Sequence, residues 1–166
     1  MTDADKSMAD PTRSDGDIGR LRALAAALPG TSYTEVHLNV DYARVRDLLA
    51  DMPAELPHLI RTVRSFRMVA GTPRHGHALA VGVIGNRATF ELRMRPGWCL
   101  MQSALIIGGF AAAPDGDGTR FAVLAGLRPR MLRPAHSLYW RLVGRWRMPH
   151  LTRRVERRAA QRRPTS

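Results

Sequence analysis

From Ser32 to Arg128 apolar residues recur mainly at every second position, and on both sides of that stretch they recur at helical spacing. The alternation predicts a sheet, and the flanks predict helices to cover it. Thr31 to Val40 places Val36, Leu38 and Val40 on one side, with Glu35, His37 and Asn39 on the other, which predicts a half-buried first strand. Asp41 stands where a side-chain oxygen can cap a helix, and Val45, Leu48, Leu49 and Met52 supply that helix's buried stripe. Pro53 suits the first turn of a second helix, AELPHLI, which Pro57 keeps short. Two short helices thus follow strand one.

Alternation resumes over Arg61 to Val69, and after the turn signal GTPRHGH it continues in ALAVGVIG, predicting a hairpin. Gly85-Asn86 turns the chain into ATFELRMR, where Phe90, Leu92 and Met94 face one way and Glu91, Arg93 and Arg95 the other. Pro96-Gly97 leads into WCLMQSALIIGGFAAA, apolar on both faces, with Gly108-Gly109 read as a bulge or bend. DGDGT then turns into RFAVLAGLR. A strand apolar on both faces needs two covers. The outer one is expected to be the stretch Ile18 to Leu28, whose Ile18, Leu21, Leu24, Ala25 and Leu28 form a stripe, or else a second subunit.

The last element is a long helix from Met131 to Arg163. Met131, Leu132, Ala135, Leu138, Tyr139, Leu142, Val143 and Trp146 make its apolar face, and Pro149 predicts a kink beyond which Leu151, Val155 and Ala159 continue on another side. Strand one ending at NVDYARVRDLLADMP, the GDGTRFAVLAGL hairpin and the terminal helix ending near RRVERRAAQ together resemble the START-like superfamily, also called the polyketide cyclase/dehydrase and lipid-transport (SRPBCC) superfamily. The likeness spans about Ser32 to Arg162 as an order of elements. It implies an α+β helix-grip fold: an antiparallel sheet wrapped around the long C-terminal helix, two short helices after strand one, and a cavity for a hydrophobic ligand. The aromatic residue usual early in the family's first helix is Val45 here, and no catalytic set transfers residue by residue.

On that resemblance the ligand-binding residues are expected to be Phe90, Leu92, Met94, Gln102, Phe121 and Val123 from the sheet, with Leu138, Tyr139, Leu142 and Trp146 from the helix. The same side chains can equally fill a solid interior. Gln102 and Ser103 lie among apolar residues, where each must find a polar partner, either a ligand or a neighbouring group. The expected function is binding of a lipid-like or aromatic, polyketide-like molecule in a carrier or sequestering role. A cyclase/aromatase-type enzyme is the first alternative.

Other candidate chemistry is sparse. His75 and His77 could share a strand face as metal ligands, but no nearby carboxylate or cysteine completes a site and the segment reads as an exposed turn. Glu35 and His37 could pair as acid and base, yet their parity puts them on the solvent side. His136 and Tyr139 lie one turn apart on the last helix, with His136 at the margin of the stripe. Cys99 reads as a small buried hydrophobe. No metal, cofactor or catalytic residue is expected.

Composition adds a partner class and a location. The 166 residues and 45% hydrophobic content suit one domain with tails, and the net charge of +12 rests on arginine, Lys6 being the only lysine. Arg153, Arg154, Arg157 and Arg158 concentrate near the end and suggest docking on an anionic partner, RNA, ribosome or membrane, as a second alternative; a solvated helix face in an arginine-rich proteome is the plainer account. A homodimer is a further possible partner. A polar acidic start, a single cysteine and no apolar run near the roughly 18 residues of a membrane span predict a cytoplasmic protein. The expected domain layout is a disordered acidic tail over 1–17, the short helix over 18–30, one helix-grip domain over 31–163 and a tail over 164–166.

Overall fold

The computed structural model describes residues 11–72, 74–129 and 145–162. Helix α1 (Pro11–Ala27) precedes strand β1 (Thr31–Leu38), short helices α2 (Tyr42–Ala50) and α3 (Met52–Leu59), strands β2 (Val63–Thr72), β3 (His75–Gly82), β4 (Arg87–Arg95), β5 (Trp98–Gln102), β6 (Ile106–Asp115) and β7 (Gly118–Leu127), and helix α4 (Arg145–Gln161). The strands form one antiparallel sheet in the order β1-β7-β6-β5-β4-β3-β2. Consecutive strands from β2 to β7 pair as hairpins, while β1 crosses to the far edge beside β7. The α+β helix-grip architecture implied by the family resemblance is therefore present.

Each face of the sheet has its own apolar layer. The inner face carries Phe66, Ala78, Phe90, Leu92, Met94, Cys99, Met101, Phe110, Phe121 and Val123, which meet α2, α3 and α4. Asp41 caps α2 as expected, its carboxylate accepting from the Ala43 backbone N–H at 2.9 Å. This cap starts the helix that buries Tyr42, Val45, Leu48 and Leu49. The outer face carries Ile107, Ala111, Ala113, Ala122 and Leu124 beneath Ile18 and Leu21 of α1. Thus α1 supplies the expected cover for the doubly apolar strand, although it starts at Pro11 rather than Ile18. The polar run from Pro11 to Asp17 is helical, and Asp15 pairs with Arg120 of β7.

Several local expectations are corrected. The stretch Trp98 to Ala113 is two strands, because the Ser103 hydroxyl accepts from the Leu105 and Ile106 backbone N–H groups at 3.3 and 3.0 Å and closes a turn there. Gly108 and Gly109 do not form a bulge: β6 keeps regular register with both neighbours through them, and the register shifts lie between β2 and β3. Gly109 instead makes room for α1, since a Cβ there would sit 2.8 Å from Leu21 Cδ1. His75 and His77 belong to β3, not to a turn. The alternation simply starts earlier than GTPRHGH suggests.

Residues 131–144, which hold most of the predicted face of the closing helix, lie outside the described residues. The described α4 contains Pro149, and Met148, Val155 and Ala159 enter the inner core with Leu151 packed against it. Upstream of Pro149 the helix is described from Arg145, and the rest of the upstream arm of the expected kink lies outside the described residues. Among the described residues no helix is long and apolar enough to cross a membrane.

Candidate functional site

The inner face is not filled evenly. Under α2, which lies over β4, β5 and β6, the large side chains Leu48, Leu49, Leu92, Met94 and Phe121 close the interior, and Phe121 stacks on Phe110 with ring centroids 5.8 Å apart. Toward the other end, where β2, β4 and β6 begin, small residues occupy inward positions: Ala80 on β3, Gly108 on β6 and Ala125 on β7. A cavity of about 540 Å³ opens there between the sheet, α3 and α4. Its walls include Phe66, Phe90, Met101, Phe110 and Val123 from the sheet, Leu56, Leu59 and Ile60 from α3 and its end, and Leu151 from α4. Phe66 and Phe90 meet edge to face at 5.9 Å and form one rigid aromatic corner.

Polar groups gather at one rim. Arg61 and Thr62 follow α3, and His150 and Arg154 stand on α4. The half-buried Arg154 is tied by Nη1, which donates to the Leu59 carbonyl at 3.0 Å. Such a volume, mostly apolar walls and a few polar groups at one side are the usual makings of a small-molecule site.

The placement of α4 depends on a buried carboxylate. Glu55 of α3 is 3% exposed, and it accepts from Arg158 Nε and Nη2 at 2.8 and 3.0 Å and from Arg162 Nη2 at 2.8 Å. Burial pushes the Glu55 carboxyl up, but the hydrogen bonds from Arg158 and Arg162 outweigh it and hold the group below its ordinary value. Arg162 also donates to Asp51 Oδ2 at 2.7 Å, and Arg44 Nη1 to the Ala160 carbonyl at 3.2 Å. These contacts clamp the helix that walls the cavity.

Set against the expected residues, the cavity takes in Phe90 and Val123. Leu92, Met94 and Phe121 face inward as expected but belong to the packed end beneath α2. Gln102 is a correction. It pairs with Glu91 across β5 and β4, points to the outer side, and donates from Nε2 to Glu91 Oε2 at 2.9 Å. Leu138, Tyr139 and Leu142 lie outside the described residues, as does the side chain of Trp146. The wall residues missed were Phe66, Met101 and Phe110 of the sheet and those of α3 and α4, and the available signal was the set of small residues in phase with bulky ones on β3, β6 and β7.

The basic cluster divides. Arg153 and Arg157 are exposed, whereas Arg154 reaches the Leu59 carbonyl and Arg158 binds Glu55. The four arginines therefore do not share one outward face. Glu35 also departs from expectation, because α1 covers its side: its carboxylate binds Arg22 and accepts from Tyr33 Oη at 2.5 Å. Burial and this carboxylate push the Tyr33 hydroxyl up to about 12. His37 is half exposed with Nδ1 3.0 Å from Asp115 Oδ2, and His75 Nε2 lies 3.4 Å from Glu91 Oε1. Contrary to expectation a carboxylate does stand near His75, yet among the described residues no three potential ligands cluster around a metal position. Cys99 is fully buried, which pushes its thiol pKa up and keeps it a neutral packing group.

No protein-family model matches the chain, and no curated protein does. Solved structures do. TTHA0849 from Thermus thermophilus superposes with a TM-score of 0.56 at 19% identity, covering 78% of this chain and 97% of that one. The Zhui aromatase/cyclase from Streptomyces sp. R1128 gives 0.59 at 10% identity, covering 80% and 94%. Ara h 8.0201 gives 0.55 at 12% identity, covering 80% and 98%. The chain has the fold these proteins share, the START-like helix-grip, and at such identities the likeness is one of fold.

Proposed function

We propose that the protein binds a hydrophobic small molecule between the sheet and α4 and acts as its carrier or sequestering partner. The observation that supports this reading is the cavity of about 540 Å³ with mostly apolar walls on the inner face. An interior meant only for stability would be packed to the density of an organic crystal, and an empty space of this size costs stability that a bound guest restores. The similarity in fold to an aromatase/cyclase keeps a polyketide-like guest, and cyclase chemistry on it, as the second reading. The carrier is preferred because the described walls bring together no acid and base deep in the cavity.

The test is native mass spectrometry of the purified protein, followed by solvent extraction and identification of what is released. A discrete apolar molecule in stoichiometric amount supports the proposal. A protein that comes off empty and that also fails to take up neutral apolar probes at micromolar concentration overturns it. Conversion of a polyketide-like probe to a cyclised product would favour the enzyme over the carrier.

A further inference from the structure

The cavity is electrically lopsided. None of its described lining residues is acidic, whereas Arg61, His150 and Arg154 all stand at the rim where the end of α3 approaches α4. Their situation differs from that of the arginines one and two turns further along α4. Arg158 and Arg162 are neutralised by Glu55 and Asp51. Arg154 is held by the carbonyl of Leu59, an acceptor that fixes the guanidinium without cancelling its charge. Among the described residues neither Arg154 nor Arg61 nor His150 forms an ion pair with a carboxylate.

A half-buried cation at the end of an apolar cavity attracts an anion more strongly than one in open water, because fewer solvent dipoles screen it. A guanidinium with N–H groups left over can bind a carboxylate or a phosphate through charge-assisted hydrogen bonds. We infer that the molecule bound in this cavity is an anionic amphiphile, with its apolar body against Phe66, Phe90 and Val123 and its single carboxylate or phosphate at Arg154, supported by Arg61 and His150. This inference rests on the cavity reading and narrows it to a ligand class.

Displacement of a neutral fluorophore such as Nile red tests it, with palmitate, hexadecyl phosphate and hexadecanol as competitors of equal chain length. The charged competitors are expected to act at concentrations at least about tenfold lower than the alcohol. Whichever of palmitate and hexadecyl phosphate is the stronger identifies the head group as carboxylate or phosphate. Arg154→Gln should bring the charged and neutral competitors together by weakening the charged ones. Arg61→Gln, at an exposed position, gives a second readout of the same kind if the first variant fails to fold. Arg157→Gln, on the exposed side of α4, should leave the preference intact. Equal potency of acid and alcohol, a preference that survives both rim substitutions, or an equal loss in Arg157→Gln would overturn the inference while sparing the cavity reading. Failure of all three amphiphiles to displace the dye would overturn both.

Discussion

Gly108 offers a direct way to occupy the cavity from within. It lies on β6 among the lining residues, and a Cβ added there meets nothing nearer than Met101 Cγ at 3.5 Å, an ordinary contact. Gly108→Leu projects four carbons into the cavity, roughly 100 Å³ at the packing density of protein interiors. That is about a fifth of the roughly 540 Å³ present. At about 24 cal/mol per Å³ of void removed, the gain is at most about 2.4 kcal/mol, and ordering the leucine returns about 0.5–1 kcal/mol. The variant should therefore be more stable than the parent by about 1–2 kcal/mol, read as a higher urea midpoint with unchanged slope. Ligand binding should move the other way. Exclusion of about four ligand methylenes at about 0.8 kcal/mol each is worth about 3 kcal/mol, or a loss of affinity of about a hundredfold. The assay is Nile red titration beside equilibrium unfolding on the same preparation. Greater stability with lost binding is the signature of space kept open for a guest. Affinity within about threefold of the parent in a folded variant would refute the reasoning, since it would place the guest elsewhere.

The remaining predictions concern what holds the cavity walls. Glu55→Gln removes the charge that secures α4, and because Arg158 and Arg162 are 34% and 27% exposed, water takes up part of the loss. The expected cost at neutral pH is about 2–3 kcal/mol in urea unfolding, somewhat below the usual figure for a broken buried pair, and a cost under about 0.5 kcal/mol would show the clamp to be incidental. The folded carboxyl lies below its ordinary value, so its stabilisation is complete above the unfolded glutamate value of about 4.3 and is lost as pH falls through the lower folded value. Parent and Gln variant should accordingly begin to converge in stability below about pH 4, and a constant gap down to about pH 2 would contradict the assignment. On the outer face, Leu21→Ala should cost about 2–4 kcal/mol and raise dye binding by loosening α1 over Ile107 and Leu124, as read by thermal unfolding with a fluorescent probe; an unchanged midpoint would mean that α1 contributes little to the sheet.

Much of the fold was legible because its signals are local. Phe90, Leu92 and Met94 alternate with Glu91, Arg93 and Arg95, and a strand can bury only one of these sets against a core. Asp41 marked the start of α2 through the hydrogen bond it forms. The site was legible only in part. Periodicity assigns Leu92, Phe121 and Val123 to one face, but it does not say which of them lies beneath α2 and which beside open space. Gln102 was misplaced for a related reason: Ser103 ends the strand after it, and the partner that claims its amide, Glu91, comes from the neighbouring strand.

The sequence by itself determined the antiparallel strands, the two short helices behind Asp41, the need for an outer cover over the doubly apolar strand and an abundance of arginine. These follow from propensities and periods that act over a few residues. Tertiary structure alone decided where the sheet is filled and where it stays open, and which arginines are used to clamp α4. Both are set by groups far apart in the chain: Phe121 is sealed against Phe110 under α2, Gly108 lines the cavity beside Met101 on the same face of the sheet, and Glu55 meets Arg158. Packing volume and charge pairing between distant segments are sums over the whole chain, and no local window contains them.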